Sequence, residues 1–230
     1  MERRSCDRTS RRKWRVLCLH SFRGSAAALD AQLALARWRE DYASECEFAC
    51  VDAPHEASGQ SAKEIETLCA NSAGRFEWWN AREDANGAVE YDGLAEALRA
   101  IDSACATASA RGEPFDGVMG FSQGATLAAI ALASKEIGER FTFGVFVSGM
   151  VSRASATERF VWANVRAPTL HVIGVRDDVM PRTLSEGLFR AFANSPATLA
   201  THAGGHAVPR FDESGRPILR DFLDSLARAR

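Results

Sequence analysis

Residues 115–125 read Phe-Asp-Gly-Val-Met-Gly-Phe-Ser-Gln-Gly-Ala, and this stretch decides the fold. The part before Ser122 is apolar enough to form a buried strand, and the part after it opens a helix rich in alanine and leucine. Gly120, Ser122 and Gly124 fit the pattern G-x-S-x-G, in which a serine occupies a sharp strand-to-helix turn. Both glycine positions must be small because the turn is tight. The stretch therefore predicts a nucleophilic Ser122 above the edge of a sheet.

The rest of the chain alternates short apolar runs with longer amphipathic stretches, which is typical of a mostly parallel sheet flanked by helices. We predict strands at residues 14–20, 46–52, 115–121, 141–149, 168–175 and 197–202. We predict helices at residues 25–40, 91–112, 122–136, 183–194 and 218–230. Residues 55–91 are irregular, and we expect a short excursion above the sheet with little firm secondary structure. Residues 14–230 are predicted to form a single α/β domain.

Composition and charge exclude several classes of partner. The chain has 230 residues with a formal net charge of −2, a balance that favours neither nucleic acid nor an anionic membrane. Its longest apolar runs fall short of the roughly 20 residues of a membrane-spanning helix. The six cysteines have no zinc-finger spacing, and without a secretory signal we expect reduced thiols in the cytoplasm.

The first 13 residues are rich in arginine and serine and have no apolar segment, so they do not form a secretory peptide. We predict a disordered basic tail at residues 1–13. An organelle transit sequence is a weaker alternative, because Glu2 and Asp7 are acidic.

A serine hydroxyl attacks an ester only when a base removes its proton, so a histidine is required. His20 lies at the end of the first predicted strand, His55 in the excursion, and His171 inside an apolar strand, where we expect a core residue. His206 lies in a glycine-rich loop after the last predicted strand and is our candidate base. His202 is its rival by position.

The acid of such a site should fall between the serine and the histidine, on the loop after a late strand. Residues 174–181 meet this condition, and both Asp177 and Asp178 qualify. One would hold the imidazole in its productive tautomer, and the other would be a turn residue. The two backbone N–H donors of an oxyanion hole are expected from Gln123, after the nucleophile, and Phe22, after the first strand.

Taken together, these motifs resemble the FSH1-type serine hydrolases, a family of the α/β-hydrolase fold that includes ovarian-tumour-suppressor-candidate-2 esterases and polyketide-releasing thioesterases. The resemblance runs from about Trp14 to the C-terminus. The segments that carry it are residues 17–22, 51–54, 115–125, 147–149, 174–181 and 204–209.

The resemblance implies that Asp177 is the acid, because it occupies the aspartate position of Gly-x-x-Asp-x-x-x-Pro between Gly174 and Pro181. The family usually has glycine where this chain has Ser21, which implies a slightly different path for the loop that carries Phe22. The predicted substrate contacts are His20, Trp78, Trp79, Ser148 and Val208. The two tryptophans have a second interpretation as core residues.

The resemblance and the triad imply hydrolysis of a small-molecule acyl ester or thioester through an acyl-enzyme, with no metal or organic cofactor. Acyl transfer or polyketide release from a carrier protein is an alternative, because it uses the same three residues. A non-catalytic binding protein of the same fold is a third hypothesis from another class.

Overall fold

A computed structural model describes residues 12–61, 63–68, 74–158, 162–211 and 218–228. The predicted basic tail lies outside these residues, apart from Arg12 and Lys13. The strands are β1 (Trp14–Leu19), β2 (Cys46–Val51), β3 (His55–Glu56), β4 (Phe76–Glu77), β5 (Asn80–Glu83), β6 (Val89–Asp92), β7 (Gly117–Phe121), β8 (Phe143–Val147), β9 (Thr169–Gly174) and β10 (Ala197–His202). The helices are α1 (Ala26–Leu35), α2 (Trp38–Asp41), α3 (Lys63–Leu68), α4 (Leu94–Ala110), α5 (Gln123–Ala133), α6 (Lys135–Gly138), α7 (Arg182–Ala191) and α8 (Ile218–Arg228). Short 3-10 helices cover Ser155–Thr157 and Trp162–Asn164.

Six strands form the central sheet in the order β2-β1-β7-β8-β9-β10, and every neighbouring pair is parallel. The carboxyl ends of all six strands therefore meet at one edge, where ligands bind in sheets of this kind. Leu19 of β1 pairs with Gly120 of β7, so the loops after these two strands begin side by side.

Helices cover both faces of the sheet. In β1, Val16 and Cys18 join an apolar cluster with α1, α2 and α8, whereas Leu17 and Leu19 join another with α4, α5 and α7. Strands buried on both faces have nearly continuous apolar sequences, which is why the central strands could be predicted from short apolar runs. The α/β-hydrolase architecture predicted from the sequence is confirmed. No described helix is long and apolar enough to cross a membrane.

Three residues make the observed helices differ from the predicted ones: two of them divide a predicted helix, and one delays the start of another. Arg37 adopts a left-handed conformation (φ 61°) and separates α1 from α2 within the predicted helix 25–40. Ser134 is extended and separates α5 from α6. Gly93 is also left-handed (φ 97°), so the predicted helix 91–112 begins only at Leu94.

The excursion has more regular structure than expected. It holds α3 and two antiparallel strand pairs, β3 with β4 and β5 with β6. The second pair closes through a turn in which the Asp84 carboxylate accepts hydrogen bonds from the N–H groups of Asn86 and Ala88. Gly87 supplies the positive φ of 82° at its end.

Candidate active site

Ser122 is held in a strained conformation between β7 and α5. Its backbone has φ 57° and ψ −116°, and its N–H donates to the carbonyl of Val147 at 2.9 Å. A methyl group on Gly120 would collide with the backbone of Gly124. One on Gly124 would collide with the carbonyl oxygens of Leu19 and His20. The two glycines of the motif are therefore required by close backbone contacts.

His206 lies on the loop after β10 and meets Ser122 across the end of the sheet. Its Nε2 is 2.9 Å from Ser122 Oγ, and its ring packs against Phe121 at a centroid distance of 4.8 Å. Behind this loop, the indole N–H of Trp38 donates to the carbonyl of Pro209 at 2.7 Å. The imidazole is thereby positioned to accept the serine proton.

Asp177 lies beyond the imidazole, on the turn after β9. Its Oδ2 is 2.8 Å from His206 Nδ1, and its Oδ1 accepts the N–H of Met180 at 2.7 Å. Burial alone would raise the pKa of this carboxyl, but the hydrogen bonds from Met180, His206 and Ser148 outweigh burial and lower the pKa below its ordinary value. Asp178 is exposed to solvent. The structure thus brings Asp177, and not Asp178, to the histidine.

Ser148 has a contact that was not predicted. It follows β8 with a positive φ of 51°, is buried, and donates its hydroxyl to Asp177 Oδ2 at 2.8 Å. A substrate contact by Ser148 stays a prediction. No sequence pattern marked this hydrogen bond, because it depends on where β8 and β9 end relative to each other.

The two predicted oxyanion donors lie on adjacent loops. Gln123 is the first residue of α5, and N–H groups in the first turn of a helix have no acceptor within the helix. Phe22 follows β1 in a turn where the Gly24 N–H donates to the carbonyl of Ser21 at 3.1 Å. Ser21 does not have a left-handed backbone, so a serine fits at this position without backbone strain. The residue with positive φ in this turn is Arg23, at 55°.

His20 supports this turn from inside. It is 1% exposed, its Nδ1 is 2.8 Å from the carbonyl of Ser21, and its Nε2 is 3.0 Å from the N–H of Ala53. Because Ala53 donates to Nε2, the proton of a neutral ring lies on Nδ1. Burial lowers the pKa of His20 to about 4, despite the Ser21 hydrogen bond. Both ring nitrogens are engaged by backbone, so these contacts give His20 a structural role, and its substrate contact stays a prediction.

The remaining predicted contacts also lie in the interior. Trp78 is fully buried and donates its indole N–H to the carbonyl of His20 at 2.8 Å. Trp79 is 4% exposed and stacks on Tyr91 at 4.6 Å. Val208 belongs to the apolar cluster that includes α8. These positions favour the core interpretation of the tryptophans, and substrate contact by Val208 stays a prediction.

The side chain of Gln123 has a role that sequence reasoning missed. Its Oε1 accepts the N–H of Trp78 at 3.0 Å, and its Nε2 donates to the carbonyl of Trp79 at 2.9 Å. The sequence predicts only a backbone N–H donor at Gln123, and these side-chain contacts are additional. This carboxamide binds the excursion directly to the turn that carries Ser122.

The other histidines have contacts elsewhere. Nε2 of His55 is 3.2 Å from the carbonyl of Gly93, and Nδ1 of His202 accepts the N–H of Gly204 at 3.2 Å. His171 is buried among phenylalanine rings, as expected for a core residue. Within the part of the chain that the structure describes, no group of three or more His, Cys, Asp or Glu side chains is arranged to hold a metal ion.

A parallel sheet with a serine on a strand-to-helix turn, and a carboxylate and a histidine on later loops, defines a serine hydrolase of the α/β-hydrolase fold. A family model described as "Serine hydrolase (FSH1)" matches residues 9–218. The chain belongs to this family.

Relatives that match most of this chain carry esterase names. Esterase OVCA2 of Mus musculus is 33% identical over 232 residues, covering 95% of this chain and 99% of that protein. Esterase CG5412 of Drosophila melanogaster is 31% identical over 223 residues, covering 93% of this chain and 75% of that protein.

Solved structures share the fold at lower identity. The esterase PE8 structure has a TM-score of 0.60 at 22% identity, covering 94% of this chain and 92% of that one. Zea mays acyl-protein thioesterase 2 has a TM-score of 0.63 at 16% identity, covering 94% of each chain.

Proposed function

We propose that the protein hydrolyses a carboxylic ester or thioester of an acyl group through an acyl-enzyme on Ser122. The observation that carries the proposal is one continuous chain of contacts. Ser122 Oγ is 2.9 Å from His206 Nε2, and His206 Nδ1 is 2.8 Å from Asp177 Oδ2. Nucleophile, base and orienting carboxylate within hydrogen-bond reach are what acyl transfer to a serine requires.

In the acylation step, His206 takes the proton of Ser122 as Oγ attacks the carbonyl carbon of the substrate. The C=O electron pair moves to the oxygen, which the N–H groups of Phe22 and Gln123 stabilise. The carbonyl then re-forms, the bond to the leaving oxygen or sulfur breaks, and His206 returns the proton to that atom. Asp177 stabilises the imidazolium in between.

In the deacylation step, water attacks the same carbonyl carbon while His206 removes its proton. Collapse of the second tetrahedral intermediate releases the carboxylic acid and returns the proton to Ser122 Oγ. Ser148 keeps the Asp177 carboxylate ionised and oriented by donating to its Oδ2.

The proposal is tested with a fluorophosphonate probe and a chromogenic acetyl ester. We expect the probe to label the wild type at Ser122 and the ester to give a burst of one acyl group per active site. Ser122→Ala should lose labelling, and kcat should fall by about 10⁴- to 10⁶-fold. Ser103→Ala, on the exposed face of α4, is the matched control and should behave as wild type.

Labelling that persists in Ser122→Ala would refute the assignment of the nucleophile. A folded wild type with neither burst nor label would instead support the non-catalytic binding protein. A series of matched esters and thioesters of increasing acyl length, compared by kcat/KM, then defines the substrate class.

A further inference from the structure

The loop that carries the Phe22 N–H is held in place by a short segment of the excursion. We call residues 20–24 the Phe22 loop and residues 76–80 the aromatic segment. The Phe76 N–H donates to the carbonyl of Gly24 at 2.6 Å, and the Trp78 indole donates to the carbonyl of His20 at 2.8 Å. The aromatic segment therefore binds both ends of the Phe22 loop.

An ion pair with a buried carboxylate joins the same two pieces of chain. Glu77 is 1% exposed, and its Oε2 lies 3.3 Å from Arg23 Nε. The Asn80 amide donates to its other oxygen, Oε1. Arg23 also donates from Nη1 to the carbonyl of Gln60 at 2.8 Å. A carboxylate this deep is costly to bury without such partners, so the pair strongly favours one geometry of the loop.

Through Arg23, the ion pair also acts on the backbone beside Phe22. Arg23 directly follows Phe22 and has a left-handed backbone with φ 55°, a conformation that residues with a Cβ seldom adopt unless surrounding contacts enforce it. The Glu77 carboxylate is one of those contacts. Rotation of this turn would swing the adjacent Phe22 peptide out of its present direction.

The other predicted oxyanion donor is tied to the same segment. The Gln123 carboxamide binds the N–H of Trp78 and the carbonyl of Trp79, at 3.0 and 2.9 Å. The aromatic segment thus contacts both predicted donor residues or their neighbours. Its Glu77 binds Arg23, which follows Phe22, and its backbone binds the side chain of Gln123. This arrangement is suited to keep a fixed separation between two N–H groups.

We propose that Glu77 is a positioning residue for the oxyanion hole and acts through Arg23 on the Phe22 N–H. The proposal rests on the proposed function, because an oxyanion forms only if Ser122 attacks a carbonyl. A hydrogen bond to that oxyanion exists in the tetrahedral state and is weak in the bound substrate. A misplaced donor should therefore slow the chemical step with little effect on substrate binding.

The experiment compares Glu77→Gln with Glu47→Gln on a chromogenic acetyl ester. Glu47 lies near the amino end of β2, and its Oε1 is 3.3 Å from Arg15 Nε in a more exposed ion pair. It therefore provides the same substitution, with the same donor atom and distance, at the end of the sheet opposite to the Phe22 loop. We expect Glu77→Gln to lower kcat about 10- to 100-fold, the cost of a donor displaced by roughly 1 Å. KM should stay within about twofold, and Glu47→Gln should match the wild type.

The inhibition constant of a trifluoromethyl ketone separates a positioning role from a general structural defect. The adduct of this ketone with serine places a negative oxygen in the oxyanion hole, so the inhibition constant should weaken by the same factor as kcat. The burst amplitude gives the concentration of active sites. Because kcat is calculated per active site, unfolded protein in the sample does not lower it. Arg23→Lys, which keeps the charge but loses the Nε donor, is the second variant if Glu77→Gln does not fold.

The outcomes separate the two proposals. A wild type without burst or label overturns the proposed function itself. An active wild type, with Glu77→Gln or Arg23→Lys equal to Glu47→Gln in kcat and in ketone affinity, overturns the positioning role alone. A higher KM at unchanged kcat would also overturn it, because that pattern belongs to substrate binding.

Discussion

Asp177 receives hydrogen bonds from three different parts of the chain. Met180 is in its own turn, Ser148 follows the neighbouring strand β8, and His206 follows β10. These donors lower the pKa of the carboxyl despite its burial, so Asp177 remains ionised where an imidazolium must be stabilised. Its neighbour Asp178 is exposed and makes no contact with the imidazole among the described residues.

Replacing each of these two aspartates by asparagine separates their roles. Asp177→Asn should lower kcat about 10⁴-fold, because an amide favours the wrong histidine tautomer while keeping the shape of the carboxylate. Asp178→Asn should stay within about twofold, as is usual for an exposed position. Both variants are assayed on one chromogenic ester after circular dichroism confirms folding. The reverse ranking would mean that Asp178 supplies the acid.

At the scale of elements, the turn between β7 and α5 fixes the position of Ser122, the proposed nucleophile. Its N–H bonds to Val147 of β8, and its glycines allow α5 to approach the end of β1. The strain of a residue at φ 57° persists because neighbouring elements on both sides hold it. The geometry of this turn therefore depends on the three strands β1, β7 and β8 and on α5 together.

Gly124→Ala tests this dependence with a single methyl group. The new Cβ would collide with backbone carbonyls of Leu19 and His20, which cannot rotate away, so we expect a loss of kcat of at least about 100-fold. Gly187→Ala is the control, because its methyl group meets nothing within 4 Å on α7 and should stabilise the fold by about 1 kcal/mol. Esterase assays and urea titrations measure both effects. An active, stable Gly124→Ala would contradict the described packing.

The tryptophans of the aromatic segment are interpreted either as substrate contacts or as core residues, and substitution of Trp79 distinguishes the two. Trp79 is 4% exposed and stacked on Tyr91, so Trp79→Ala should lower the free energy of unfolding by about 3–5 kcal/mol. The ratio of octanoyl to acetyl ester turnover should not change. Trp79→Phe keeps an aromatic partner and should lose much less stability. A stable Trp79→Ala with altered chain preference would restore the acyl-pocket interpretation.

These tryptophans also show where sequence reasoning succeeds and fails. The positions of Ser122, Asp177 and His206 follow from strand order, because loops after parallel strands meet at one edge. The direction of a buried side chain depends on tertiary partners instead. Sequence therefore could not reveal that Ser148 bonds to Asp177, nor that His20 binds Ala53.

At the scale of the whole molecule, two buried histidines make folding sensitive to acid. Burial lowers the pKa of His171 to about 3 and that of His20 to about 4. Both values lie below the ordinary 6.5, so the unfolded chain binds protons more readily than the folded one. The free energy of unfolding therefore decreases as the pH falls below about 6.5.

His171→Leu should reduce this sensitivity. Each buried histidine contributes a slope of about 1.4 kcal/mol per pH unit between its unfolded and folded pKa values. Replacing His171 by leucine among its phenylalanine neighbours removes one such contribution. Urea titrations between pH 4.5 and pH 6, at about half-unit steps, should show a smaller slope in the variant. An unchanged slope would mean that His171 is protonated in the folded state.

The loop of His206 has one further consequence, for the lifetime of activity under stress. It follows β10, the edge strand, which pairs with β9 alone in the sheet and has only Ala200 fully buried. Edge elements with few buried contacts open locally at lower free energy than the core. The hydrogen bond from Trp38 to Pro209 opposes such opening. We therefore expect mild denaturant to abolish activity first by local opening of this edge, while the core around Ser122 is still folded.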